Sequence, residues 1–402
     1  MSRSVSSRRW VYLAVGVLAM LFAGVIYAWS VINEPFRQWW DTNQLALNFT
    51  ITMTCFCLGG FVGAKLNKRF GSLATLIAAG VLAAAGFVLA GFIRGGNVWT
   101  LYLCYGVLAG LGIGIAYNVV ISTVNAWFPD KKGLCSGCLM MGFGASSLVL
   151  GNLASSLQSF WGWGTVYMVL GGVMGAVLIF AALILKKPDA DTVLPAAKVK
   201  KTARAETFEL RDYATGQMLR RPSFWMAFVC IGFLAAVGSS VISFAKNLAV
   251  SVGAAAGLAT TLVGVLSVCN GLGRILTGAV FDAMGRRFTM IAANVLTIVA
   301  AAVTLVAVLL HSLPLCIVGL CLVGMSYGAC PTVSSAIVSA FYGSKFFPTN
   351  FSIMNFNLIG SSLMATACGS LLTATNGYIA PFILLLGLSC AALVLNLLIR
   401  KP

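Results

Sequence analysis

Long apolar segments recur along nearly the whole chain, separated by short polar stretches. Each segment is about 20 residues long, which is the length that an α-helix needs to cross the hydrocarbon core of a bilayer. The segments are uninterrupted rather than alternating, so they favour helices over the strands of a membrane barrel. Twelve helices are predicted, numbered 1 to 12 in chain order, at residues 10–32, 45–66, 73–93, 98–126, 133–157, 165–185, 224–248, 254–281, 288–310, 313–338, 350–373 and 378–399.

One long polar interval, residues 186–222, divides these helices into two sets of six. It carries nine basic and five acidic residues and is too short for a catalytic domain. Part of it, 205–219, is predicted to form a helix at the membrane interface. The sequence therefore predicts an all-α integral membrane protein with an N-terminal six-helix bundle (1–185), a cytoplasmic linker (186–222) and a C-terminal six-helix bundle (223–402).

Composition and charge agree with this architecture. The 402 residues are 60% hydrophobic and only 9% charged, against about 25% charged residues in globular proteins. With the amino terminus inside, 22 of the 26 basic residues fall in predicted cytoplasmic segments, as is typical of membrane proteins. The net charge of +17 therefore indicates topology and contact with anionic lipid headgroups, not nucleic-acid binding. Both termini are predicted to be cytoplasmic, in a multi-pass protein of a bacterial inner membrane.

The twelve cysteines fall mostly inside apolar segments, without the repeated spacing of metal ligands. Cys135 and Cys138 form a CxxC pair, but they stand at the start of a predicted helix, where a packing role is favoured. No metal site and no cofactor is predicted.

A local pattern occurs once in each half of the chain. The copy at 278–287 joins helices 8 and 9, and the copy at 64–71 joins helices 2 and 3. The glycines of the two tight turns lie 214 residues apart, about half the chain, which indicates duplication of a six-helix unit. The candidate gating residues are Asp282, Gly285, Arg286, Arg287, Gly71 and Arg69. Lys68 occupies the acidic position in the first copy, so a gating bond made by an acid is absent or reversed there.

These turns resemble the signature loop of the major facilitator superfamily, Gly-x-x-x-Asp-Arg-x-Gly-Arg-Arg. More narrowly, the chain resembles the oxalate:formate antiporter family of monocarboxylate transporter-like carriers. The segments that carry this resemblance are 24–30, 110–117, the Trp-Phe-Pro stretch of 127–133, 221–225, the Asn-Gly-x-x-Arg stretch of 270–274, and 350–351. The resemblance implies an alternating-access carrier for small carboxylates, in which an arginine of helix 8 binds the substrate carboxylate. Arg274 matches that arginine.

Arg274 is the only charged residue that falls deep inside a predicted helix. A cationic side chain at the bilayer centre costs about 2.5 to 3.5 kcal/mol on insertion scales, so it usually faces an anion or a watery cavity. Asn270 lies four residues earlier and shares the same helix face. The alternative is that the long side chain of Arg274 extends to the cytoplasmic surface, since it lies about 10 Å from the predicted helix end.

Four further residues are candidates for the substrate site: Tyr27, Tyr117, Tyr327 and Asn355, on helices 1, 4, 10 and 11. The resemblance implies that aromatic side chains at the first three positions line the pocket. Alternatively, Tyr27 is an interfacial aromatic residue, and Tyr117 and Tyr327 are packing residues. Asn355 and Asn357 are not expected to share the cavity, because residues two apart on a helix point in different directions.

The number of cations decides the predicted substrate. In members that exchange oxalate, the resemblance implies a second cation, a lysine at about Leu358 of helix 11, but residues 350–373 contain no Lys or Arg. One guanidinium matches one carboxylate. We therefore predict a monocarboxylate of the formate, acetate, lactate or pyruvate class, with oxalate or another dicarboxylate as the alternative.

None of the nine acidic residues falls inside a predicted helix, so no carboxylate relay for protons is expected. Transport is then either exchange of organic anions or proton-linked symport. No catalytic cluster indicates an enzyme, and the absence of a signalling domain disfavours a membrane sensor of carboxylates. The expected partners are a small organic anion, membrane lipids and, for symport, protons; the expected functional form is a monomer.

Overall fold

A computed structural model describes residues 3–40, 42–188, 192, 194 and 212–400 of the chain. Those residues are mostly helical and include no β-strand. The predicted interfacial helix at 205–219 falls partly outside them, and its described end forms a short helix, Thr215–Leu219.

The predicted all-α membrane fold is confirmed. Within the described residues, eleven helices are long and apolar enough to cross a membrane. One of them, Leu47–Gly91, is 45 residues long and comprises two predicted helices, because Gly71 within it interrupts the helix with φ 78° and ψ 173°. This interruption brings the number of membrane helices to the predicted twelve.

The helical segments of the first half are Arg3–Ala23, Gly24–Ala28, Trp29–Ile32, Glu34–Gln38, Thr42–Gly91, Trp99–Leu101, Tyr102–Ala109, Gly110–Asn125, Lys132–Ser146, Ser147–Gly151, Asn152–Trp161 and Trp163–Ile184. Those of the second half are Thr215–Leu219, Pro222–Ser251, Ala256–Met284, Arg286–Leu309, Leu313–Tyr342, Phe347–Met354, Asn357–Thr375 and Ile379–Leu398.

Several membrane helices are irregular where the sequence predicts a continuous helix. Gly24–Ala28 of helix 1 is 3-10 helical, and Tyr102–Ala109 of helix 4 and Ser147–Gly151 of helix 5 are π-helical. Helix 11 is divided into Phe347–Met354 and Asn357–Thr375. These irregularities change the hydrogen-bond register but not the apolar content, so a hydropathy pattern does not detect them.

Helix 8 continues to Met284, three residues beyond its predicted end. The expectation that every acidic residue lies outside the membrane helices is therefore wrong for Asp282, which lies in the last turn of helix 8. Hydropathy falls at the headgroup level before the helical backbone ends, which explains the error.

Gly71 and Gly285 have nearly the same backbone conformation, with φ 78° and ψ 173° at the first and φ 79° and ψ 179° at the second. This region of backbone space is essentially restricted to glycine. A Cβ at either position would meet no atom within 4 Å, so conformation rather than space selects glycine. The shared geometry supports the duplication that the sequence predicts.

By packing, the chain forms two compact units. The first comprises Met1–Glu209 together with Phe347–Ile353, and the second comprises Leu210–Phe346 together with Met354–Pro402. The beginning of helix 11 therefore belongs to the first unit, although the rest of helices 7 to 12 belongs to the second. No hydropathy signal marks this division of helix 11.

Candidate functional site

Arg274 lies on helix 8 and is buried in the second unit, with only 2% of its surface exposed. Its Nε donates a hydrogen bond to Oδ1 of Asn270 at 3.2 Å. Residues four apart share one face of a helix, which is why these two side chains meet. The side chain is thus held along helix 8 and buried, and it does not extend to the surface as the alternative interpretation required.

Glycines fix the backbone around Arg274 against helix 10. A Cβ on Gly328 would overlap the carbonyl oxygen of Asn270 and would lie 3.0 Å from the backbone nitrogen of Arg274. A Cβ on Gly273 would lie 2.8 Å from Cα of Met325. Small residues allow membrane helices to approach this closely. The position of Arg274 therefore depends on helix 10 as much as on helix 8.

A hydroxyl group adds a bond across the same crossing. Oγ1 of Thr332 on helix 10 donates to the carbonyl oxygen of Arg274 at 3.3 Å. Thr332 follows Pro331, which lies inside helix 10 and has no N–H for the carbonyl of Tyr327 four residues earlier. Helix 10 thus lacks one backbone hydrogen bond next to the residue that contacts Arg274. The proline is visible in the sequence, but the sequence analysis did not use it.

Tyr327 is buried at 9% exposure. Its ring packs directly against Gly238 of helix 7, where any Cβ would overlap the ring carbons. This contact agrees with the alternative that Tyr327 is a packing residue. Tyr327 lies on helix 10, the helix that also contains Pro331. Tyr327 and Arg274 therefore belong to the same unit and to adjacent helices.

Two of the described acidic residues form ion pairs with arginines other than Arg274. Glu34 pairs with Arg37, and Asp130 pairs with Arg9. Asp282 shares helix 8 with Arg274 but lies eight residues away, about 12 Å along the axis at 1.5 Å per residue. One polar neighbour of the Arg274 guanidinium is the neutral amide of Asn270.

The first unit brings Tyr27 and Tyr117 onto one aromatic residue, Phe143 of helix 5. The ring centroid of Tyr27 lies 5.3 Å from that of Phe143, and the centroid of Tyr117 lies 5.0 Å from it, both edge to face. Tyr117 also contacts Phe56 at 5.0 Å. This cluster joins helices 1, 2, 4 and 5, and aromatic pairs of this geometry stabilise by about 0.5 to 1.5 kcal/mol each.

The beginning of helix 11 contributes to this cluster, which the sequence analysis missed. Phe351 stacks on Tyr117 with ring centroids 6.0 Å apart, and Nδ2 of Asn118 donates to the carbonyl oxygen of Pro348 at 2.9 Å. Both contacts lie inside the first unit. In the sequence, the family resemblance at 350–351 was the one signal that this segment differs from the rest of helix 11.

Asn355 and Asn357 flank the division of helix 11 and are buried at 6% and 4% exposure. Nδ2 of Asn357 donates to the carbonyl oxygen of Met354 at 2.7 Å. The backbone N–H of Leu358 donates to the carbonyl of Asn355 at 3.0 Å, a tighter bond pattern than that of an α-helix. Asn357 thus supports the backbone at the division, and Asn355 stays the candidate for substrate contact.

The candidate gating residues lie at the two glycine turns. The guanidinium of Arg286 lies 4.7 Å from the ring centroid of Phe341, and that of Arg69 lies 5.2 Å from the ring centroid of Phe70. Asp282 and Arg287 are exposed. Within the described residues, no three potential metal ligands come together.

Comparison with known proteins gives the same architecture. A sequence profile described as Major Facilitator Superfamily matches residues 11–245 and 228–402. FucP, the Escherichia coli fucose:proton symporter, has a similar fold. Its crystal structure in the outward conformation aligns with this chain with a TM-score of 0.70 at 14% identity, and the alignment covers 98% of this chain and 100% of the FucP chain.

Three sequence relatives are transporters. The oxalate:formate antiporter of Oxalobacter formigenes is 30% identical over 297 residues, which are 72% of this chain and 67% of that protein. The MFS-type transporter YhjX of Escherichia coli K12 is 28% identical over 302 residues, 74% and 72% of the two chains. Monocarboxylate transporter 12 of Xenopus laevis is 28% identical over 255 residues, 59% and 52%. The chain is a transporter rather than an enzyme, and it belongs to the Major Facilitator Superfamily.

Proposed function

We propose that this protein carries small organic anions, most specifically monocarboxylates, across the membrane by alternating access, with Arg274 binding the substrate carboxylate. The observation that carries the proposal is the burial of the Arg274 side chain on helix 8 at 2% exposure, with its Nε bound to Oδ1 of Asn270. Charged residues inside membrane helices are rare and mark the paths of substrates and ions. A guanidinium on such a path binds a transported anion.

The chemistry of the guanidinium favours a carboxylate as the substrate group. Its planar fork of N–H donors matches the two oxygens of a carboxylate, and such charge-assisted pairs are among the strong hydrogen bonds of proteins. Asn270 holds Nε of this fork, which restricts the orientation of the guanidinium. Tyr27, Tyr117, Tyr327 and Asn355 are the proposed further lining residues of the substrate path.

Charge counting favours a monoanion over a dianion. A charge pair at about 4 Å contributes about 4 kcal/mol at an effective dielectric of about 20, so a dianion with a single cationic partner leaves one charge uncompensated. Leu358 occupies the approximate position at which the resemblance implies a second cation. The names of the relatives allow both readings, since one is an oxalate:formate antiporter and another a monocarboxylate transporter. Oxalate antiport is therefore the second candidate.

The coupling mode is either exchange of one organic anion for another or proton-linked symport. In symport, the proton would travel with the substrate, water or the tyrosine hydroxyls. Among the described residues on the membrane helices of this unit, the acidic one is Asp282, which lies about 12 Å from Arg274 along the axis of helix 8. The proposed topology has both termini in the cytoplasm of a bacterial cell.

Counterflow of labelled lactate into liposomes that contain the purified protein tests the proposal. We expect Arg274→Gln to abolish counterflow, and Lys246→Gln to retain it, because Lys246 is an exposed cation on helix 7 of the same unit. A thermal-shift series of C1 to C4 mono- and dicarboxylates tests the charge argument. Unimpaired counterflow by Arg274→Gln would refute the role of Arg274, and stronger stabilisation by oxalate than by monocarboxylates would overturn the preference for a monoanion.

A further inference from the structure

The last residues of the linker, 212–221, fold against the end of helix 10 and are called the linker clasp below. Two of its side chains are buried, Tyr213 at 7% exposure and Met218 at 0%. The ring of Tyr213 packs edge to face on that of Tyr342, the last residue of helix 10, with centroids 5.8 Å apart. The guanidinium of Arg221 lies 5.4 Å from the centroid of the Tyr213 ring. The clasp is therefore anchored by packing and not only by surface contacts.

The clasp also supplies hydrogen bonds to the turn between helices 10 and 11, residues 343–346. The backbone N–H of Tyr213 donates to the carbonyl oxygen of Tyr342 at 3.0 Å. The last carbonyls of a helix have no partner within the helix, so this bond caps helix 10. In the opposite direction, the backbone N–H of Lys345 donates to Oδ1 of Asp212 at 3.0 Å.

Gly343 shows how closely the clasp fits this turn. Its φ of 77° and ψ of −178° lie in a region that essentially only glycine adopts. A Cβ at this position would overlap the carboxylate of Asp212 and would lie 3.0 Å from its Cγ. The carboxylate therefore fills the space that a side chain on the turn would need.

The clasp holds a point at which the chain leaves the second unit. One stretch of that unit ends at Phe346, and the next residues, Phe347–Ile353, belong to the first unit. Asp212 is the first residue of this stretch that the structure describes, and Lys345 lies one residue before its end. Their bond joins the end of the linker to the turn that leads into helix 11.

We propose that Asp212 and Tyr213 are positioning residues of the transport cycle, which fix the turn 343–346 to the second unit so that its motion reaches Phe347–Ile353. A turn that is free to adjust its own φ and ψ absorbs a displacement, whereas a clamped turn transmits it. The adjustment then falls on the division of helix 11 at Asn355 and Phe356, where the α-helical bonds are already interrupted. This role does not depend on which substrate is carried. Only the choice of labelled lactate for its test rests on the proposed function.

The test compares Asp212→Ala and the double variant Asp212→Ala/Tyr213→Ala with Asp212→Asn, all in the full-length protein in liposomes. The asparagine keeps an oxygen that accepts the bond from Lys345, so it is the matched control. We expect the double variant to lower the turnover of lactate counterflow about tenfold with an unchanged half-saturation concentration. Asp212→Ala is expected to do so more weakly, and Asp212→Asn to retain wild-type turnover.

Hydrogen exchange measured by mass spectrometry gives a readout that does not need a substrate. The alanine variants should speed exchange in peptides that cover 343–354 and leave the middle of helix 7 unchanged. Equal exchange at 343–354 in all variants, or a rise in half-saturation concentration at constant turnover, would overturn the proposal. If the wild-type protein itself does not exchange lactate, the proposed function fails, and the exchange pattern at 343–354 still decides the role of the clasp.

Discussion

The close crossing of helices 8 and 10 makes Gly328→Ala a sharp test of the site. The added methyl group would overlap the carbonyl oxygen of Asn270, and it would lie 3.1 Å from the carbonyl carbon of Asn270 and 3.0 Å from the nitrogen of Arg274. All three atoms belong to the backbone of helix 8, so no side-chain rotation relieves the overlap. Helix 8 must therefore move away from helix 10 at the level of Arg274.

The magnitude follows from this geometry. Restoring ordinary van der Waals separation requires a shift of about 1 Å. Overpacking of a well-packed interior costs about 1 to 3 kcal/mol, and a misplacement of about 1 Å at a site lowers its activity by about a hundredfold. The bond from Thr332 to the carbonyl of Arg274, already 3.3 Å long, is expected to be lost. We therefore expect weaker carboxylate binding together with lower thermal stability.

Gly264→Ala provides the control, because Gly264 lies on helix 8, the helix that carries Arg274, and its added Cβ would meet no atom within 4 Å. Alanine also favours a helix over glycine by about 1 kcal/mol, so this variant should be as stable as the wild type or more stable. The assay is lactate-dependent thermal stabilisation of the purified proteins, followed by counterflow. Wild-type binding by Gly328→Ala would refute the inference that helix 10 positions Arg274.

Two further changes test the electrostatics of each unit. Asn270→Asp places a carboxylate 3.2 Å from Nε of Arg274, an attraction of about 5 kcal/mol at an effective dielectric of about 20. This internal anion should displace the substrate and abolish substrate binding in the thermal-shift assay. Undiminished binding would contradict the assignment of Arg274 as the substrate-binding residue. In the first unit, Asp130→Asn leaves Arg9 without the carboxylate that it contacts at 2.9 Å, with side chains only 9% and 13% exposed. We expect a loss of about 3 to 5 kcal/mol of stability, measured by thermal melting in detergent, with substrate affinity unchanged; an unaltered melting temperature would show that the pair contributes nothing.

Arg274 was identifiable from the sequence because a lone cation in an apolar segment is rare for an energetic reason. Its partner Asn270 followed from helical spacing, and the Nε to Oδ1 bond agrees with that inference. Spacing did not distinguish a buried guanidinium from one that reaches the surface, since both conformations share the same backbone. The 2% exposure of Arg274 depends on which atoms of other helices surround it.

Helix 11 shows what the sequence could not supply. Its apolar run predicts one continuous helix, yet the structure divides it between Met354 and Asn357 and packs its beginning against Tyr117 and Asn118 of the first unit. The linker clasp is similar, because residues 212 and 345 are far apart in the chain and no pattern in either segment indicates the other.

The sequence by itself determined the number of membrane helices, the two glycine turns and the presence of one deeply placed cation. Each of these follows from a local quantity, namely the transfer free energy of a side chain or the backbone freedom of glycine. The tertiary structure alone decided where helices 8 and 10 touch, where helix 11 is divided, and which residues cap helix 10. These features depend on steric fit and on hydrogen bonds between distant segments, which no local property of the chain records.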